Sequence, residues 1–154
     1  MSGKKVGRTI GIPTSILFLI LGNLEFDPKI LRDHSLIPGV YYGTCKFTSK
    51  NKYDFLTPFL GKVDRFHNKE MKAVISLGTN IQYQDMKLKL EVMILEDIPN
   101  QEFYGECLET TLLGFIRPEA YFPSFSCFIK AMENDIYVAK TMLYQTWSKR
   151  HQTL

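Results

Sequence analysis

The side chains best suited to covalent chemistry here are three cysteines, Cys45, Cys107 and Cys127, and three histidines, His34, His67 and His151. A histidine beside a thiol can draw off its proton and leave a nucleophilic thiolate. The six are distant in sequence, so such a pair exists only if the fold makes one. The cysteines are odd in number and form no CxxC pair, which argues against a zinc knuckle or a disulfide framework and for free thiols. No GxxxxGK[ST], GxGxxG or HExxH pattern occurs, and "SLGTN" is too short a glycine-bearing turn to cradle phosphate. Adjacent residues on a strand face opposite ways, so Glu96 and Asp97, at a strand end before Pro99, read as a solvated turn. These motifs identify no catalytic residue, metal ligand, cofactor or small-molecule substrate.

Charge is laid out unevenly. Residues 1–89 hold 14 Lys and Arg against 7 Asp and Glu, and residues 90–154 hold 5 against 9, a net +7 then a net −4 that sum to the formal +3. Lys4, Lys5 and Arg8 precede the first acid, Glu25; Lys46, Lys50 and Lys52 surround a polar stretch, and Lys62, Arg65, Lys69 and Lys72 follow. Gathered on one face, these cations would attract the phosphate of nucleic acid or anionic lipid without base specificity. Tyr41, Tyr42 and Phe47, beside Lys46, offer aromatic faces on which bases could stack. The acidic stretch from Glu91 to Asp135 could meet the basic part of another copy head to tail, which gives open polymers.

Elements must position these groups. An apolar share of 45 % with 13 % aromatics in 154 residues suffices for one globular core. The sequence reads as a flexible basic tail over 1–14 and a single α+β domain over 15–154, a mostly antiparallel sheet covered by C-terminal helices. The apolar run from Ile16 to Leu21 is far shorter than the ~20 residues of a membrane span and reads as a short buried strand ended by Gly22. Asp27 and Pro28 can open a short helix, "PKILRDH". "GVYYGTCKF" has strand composition, and with "TSKNK" and "YDFL" it reads as a hairpin. "KAVISLGTNIQY" and "MKLKLEVMILEDI" read as antiparallel neighbours joined at Gln84 and Asp85. "QEFYGECLETTLLGF", capped by Asn100, reads as a helix ending near Gly114. After Ser124 or Ser126, Phe125, Phe128 or Ile129, Met132, Ile136, Ala139, Leu143 and Trp147 recur at three- and four-residue steps, an amphipathic helix with a candidate break at "ENDIY".

One strand poses a question. Met86, Leu88, Leu90, Val92 and Ile94 share a face and Lys87, Lys89 and Glu91 the other, but Met93 and Leu95 then appear on the charged side. Either a helix or loop covers them, or with Glu96 and Asp97 they form a patch for self-association.

The layout as a whole, a lysine-bearing N-terminus "MSGKKVGR" and one α+β domain whose strand "KLKLEVMILEDI" leads into an acidic turn and helices, resembles the matrix proteins of rhabdoviruses, particularly the short ones of plant viruses. The resemblance implies a non-enzymatic assembly protein that polymerises, binds the inner membrane leaflet and condenses nucleocapsid, its tail cations making peripheral contacts of about 1 kcal/mol each. The expected partners are then itself, anionic lipid, and RNA or nucleoprotein, in the cytoplasm, at an inner membrane face or in a virion. The absence of an N-x-[ST] acceptor agrees with an intracellular protein. Two other classes stay open: a small nucleic-acid-binding regulator, and an enzyme whose fold gathers a cysteine with His34 or His67.

Overall fold

The computed structural model describes residues 2–9, 20–24, 29–48, 68–80, 85–96 and 107–152. Among the described residues six strands, β1 (Ser2–Thr9), β2 (Ile20–Leu24), β3 (Gly39–Thr48), β4 (Met71–Asn80), β5 (Asp85–Ile94) and β6 (Cys107–Pro118), close into a barrel in the order β1-β2-β5-β4-β3-β6. Every neighbouring pair is antiparallel. A short helix α1 (Lys29–Asp33) precedes β3, and a 28-residue helix α2 (Phe125–Gln152) follows β6.

Alternation along the strands builds two cores. Tyr41, Cys45 and Phe47 of β3, Met71, Ala73, Ile75 and Leu77 of β4, Leu90, Val92 and Ile94 of β5, and Leu108 of β6 point inward and fill the barrel. The outward residues Val40, Val74 and Met93 pack under Met132, Ala139 and Leu143 of α2, with Leu95 and Ile116 at the margin. The helix therefore covers the apolar residues on the charged side of β5, the first of the two outcomes expected for Met93 and Leu95. Val74 and Met93 lie directly opposite one another across the β4–β5 ladder, which makes them one apolar spot for the helix to seat on.

The α+β class, the antiparallel β4–β5 pair and the C-terminal helical cover agree with the sequence reading. Three elements differ from it. Ser2–Thr9, within the expected tail, is a strand whose two edges pair with β2 and β6 and close the barrel. The helix expected to end near Gly114 is instead β6 from Cys107 onward, because Leu108, Thr110 and Leu112 also alternate and β3 supplies an edge along all ten of its residues. Finally, α2 is one helix through Glu133–Tyr137, and the expected second strand "YDFL" of the hairpin, like the Asn100 cap, lies outside the described residues. The start of α2 is as read: Ser124 Oγ accepts from the backbone N–H of Cys127 at 3.2 Å. Ser124→Ala should lower stability by about 1 kcal/mol, read as a fall in thermal midpoint. An unchanged midpoint would show that the cap contributes nothing.

Candidate functional site

Beside the seat of α2, the outer faces of β4 and β5 and the segment that joins β6 to α2 enclose a cavity of about 300 Å³. Its polar wall is built by strand register. Glu91 of β5 faces the cavity with Ser76 directly across on β4, and Lys89, one step back on the same face, lies opposite Gly78. Burial raises the Glu91 carboxyl above the ordinary carboxylate range, and the charge of Lys89 only partly opposes this. Glu119, just past the end of β6, is raised by burial as well, against the pull of hydrogen bonds from Thr79. The Thr79 hydroxyl donates to its two oxygens at 3.2 and 3.4 Å. A Cβ on Gly78 would come within 2.8 Å of the Glu119 carboxyl, so glycine at that position lets the acid lie flat against β4.

The opposite wall is aromatic. Phe122, Phe125 and Phe128 line it, Phe125 and Phe128 from the first turn of α2. The Phe122 and Phe128 rings meet edge-on at 5.6 Å, and Phe125 lies 6.2 Å from Phe128. Phe125 is 67 % exposed, so most of its ring is not covered by the described residues. Arg117, at the end of β6, lays its guanidinium 5.3 Å from the centre of the Phe122 ring. A flat, largely apolar ring would rest against the aromatic wall, and a hydroxyl carried by that ring could reach a carboxylate poised to take a proton.

The Flavokinase family, described as riboflavin kinase, matches residues 1–143. The chain belongs to the riboflavin kinase family. It is 38 % identical over 137 residues to the riboflavin kinases of Mus musculus and of Homo sapiens, covering 88 % of this chain and 71 % of each relative. The structure of riboflavin kinase from Trypanosoma brucei superposes with a TM-score of 0.60 at 20 % identity, over 93 % of this chain and 75 % of that one, a likeness of fold.

Membership of a riboflavin kinase family overturns the expectation of a viral matrix-like, non-enzymatic assembly protein, together with its membrane, nucleoprotein and polymer partners and the absence of a small-molecule substrate. The nucleic-acid-binding alternative falls with it, and the fold shows why its aromatic support was misplaced: Tyr41 and Phe47 fill the barrel and Tyr42 packs at the margin of the outer core. The expectation of no enzyme is overturned by the same family membership, and the further alternative, an enzyme built on a Cys/His site, is not supported either. Cys45 is buried inside the barrel, Cys127 is exposed on α2 and His34 is exposed after α1. Cys107 and His151 are described by their backbone alone, and His67 lies outside the described residues.

The expected basic face is partly spent within the chain. Lys46 pairs with Glu109 at 3.2 Å and Lys69 with Glu96 at 2.7 Å, and Glu96 also accepts from the backbone N–H of Lys72 at 3.4 Å. Both ion pairs join the basic first half to the acidic second half, so part of the charge asymmetry serves the chain's own fold. Lys4, Lys5 and Arg8 lie on β1, while Lys50, Lys52, Lys62, Arg65 and Asp97 fall outside the described residues.

Sequence reasoning missed Glu91, Arg117, Glu119 and the three phenylalanines. Glu91 carried a signal: it is the last charge before the outward face of β5 turns apolar at Met93, and a carboxylate on that border is drawn under cover.

Proposed function

We propose that this chain transfers the γ-phosphoryl group of ATP to the terminal hydroxyl of riboflavin, yielding FMN and ADP. The observation that carries this reading is a desolvated carboxylate, Glu91, facing an aromatic wall across one cavity in a riboflavin kinase family member. The tricyclic ring of riboflavin rests against Phe122, Phe125 and Phe128, and its ribityl chain extends toward β5. Glu91 accepts the proton of the terminal hydroxyl as that oxygen bonds to the γ-phosphorus and the bond from phosphorus to the β,γ-bridging oxygen breaks. ADP leaves, and no covalent enzyme intermediate is needed. A raised pKa suits the task, since a general base works best when its pKa approaches the working pH.

Riboflavin-dependent release of ADP tests the reading. ADP should appear with riboflavin and not with lumichrome, which has the ring without the hydroxyl chain. ADP released equally with either compound, or with neither, would contradict it.

A further inference from the structure

Arg117 and Asp135 form a closely bonded side-chain pair at the cavity, and the phosphoryl transfer uses neither. Asp135 sits on α2 and is 2 % exposed. It accepts from Arg117 Nε at 2.9 and 3.1 Å and from Nη2 at 2.8 Å. Arg117 Nη1 donates to the carbonyl of Pro118 at 3.2 Å, and the guanidinium lies 5.3 Å from the centre of Phe122. The Nε/Nη2 edge of Arg117, one of the two by which a guanidinium pairs bidentately with anions, is therefore occupied by the chain itself. Its charged carbon lies over an aromatic ring of the cavity wall.

These contacts make a circuit. Asp135 on α2 fixes Arg117 at the end of β6; Arg117 lies over the ring of Phe122 on the connecting segment; Phe122 meets Phe128, again on α2, at 5.6 Å. The aromatic wall is thus tied to α2 through a partly buried ion pair whose arginine lines the same cavity beside Phe122. Phe122 sits on an irregular segment between Pro118 and Pro123, where no helix or strand fixes its backbone, and the guanidinium held by Asp135 restricts the rotamers its ring can take.

We propose that Asp135 is a positioning residue which, through Arg117, holds Phe122 in place as a wall for the flavin ring and so sets flavin affinity without taking part in phosphoryl transfer. The proposal rests on the riboflavin kinase reading of the same cavity. Losing the hold on one ring should weaken ring binding about tenfold, the scale of a single aromatic contact. Because the ring is bound alike before and during the transfer, the loss falls on KM and not on kcat.

The test is a double-mutant cycle of Asp135→Asn and Phe122→Leu. Its readouts are the Kd for riboflavin from quenching of flavin fluorescence without ATP, and KM and kcat with ATP. Asp135→Asn should raise Kd and KM about tenfold with kcat within about twofold of wild type, and should add nothing once Phe122 is Leu. Fully additive effects, or a fall in kcat at unchanged KM, would overturn the proposal. If Asp135→Asn does not fold, Asp135→Glu keeps the charge and shifts the guanidinium, and the same non-additivity with Phe122→Leu is expected. A wild-type protein that neither binds nor phosphorylates riboflavin would overturn the kinase reading and this proposal together. Normal wild-type binding with additive variants would overturn this proposal alone.

Discussion

Glu91→Gln should lower kcat for riboflavin phosphorylation by about 10²- to 10⁴-fold, the usual contribution of a positioned general base, while KM for riboflavin changes little. Glutamine keeps the shape and the hydrogen-bonding reach of the side chain but cannot accept the hydroxyl proton, so ring binding survives and the transfer does not. The pH profile supplies a second signature. Burial raises the Glu91 pKa above its ordinary value of 4.5. In the wild type, activity should therefore be full where Glu91 is ionised and fall away as pH drops through that raised pKa, with a midpoint above 4.5. The residual activity of the glutamine variant should lack this acid limb. A variant that keeps wild-type kcat, or one that keeps the limb, would remove Glu91 from the role of base.

Leu143→Ala should cost about 2–5 kcal/mol of stability, the range for deleting a buried leucine and leaving a cavity. Leu143 is fully buried on α2, where it packs with Val40, Val74 and Met93 of three adjacent strands. The site depends on that packing, because α2 also carries Phe125 and Phe128 to the cavity. Denaturant unfolding should show the loss as a lower midpoint with an unchanged slope. In the folded fraction, KM for riboflavin should rise more than kcat falls. A cost below about 1 kcal/mol would mean that the helix is held by something other than this outer core.

The sequence exposed the fold unevenly, for reasons that particular residues make plain. The strands β4 and β5 were legible because Met71, Ala73, Ile75 and Leu77, and Leu90, Val92 and Ile94, alternate without interruption. The long helix α2 was legible from its three- and four-residue apolar steps and its Ser124 cap. Strand β1, "SGKKVGRT", was not: it has no alternating apolar face, and the free edges of β2 and β6 impose its extended form. Barrel closure went unread with it. Strand β6 was misread because Leu108, Leu112 and Leu113 fit helical spacing as well as a strand, and only the partner edge of β3 decides between them.

The site was less legible than the fold. Its groups come from Ser76–Thr79, Lys89–Glu91 and Arg117–Phe128, stretches that no short motif joins, and only the barrel brings them together. The matrix-protein resemblance rested on the order of elements and of charge along the chain. Neither encodes a cavity, and fold-level layout does not determine chemistry.

Identifying the flavin after incubation of the purified chain with riboflavin and ATP tests the central claim most directly. Chromatography with mass detection should show riboflavin converted to FMN, with one ADP formed per FMN. Riboflavin recovered unchanged, from protein that is folded and binds it, would contradict the claim.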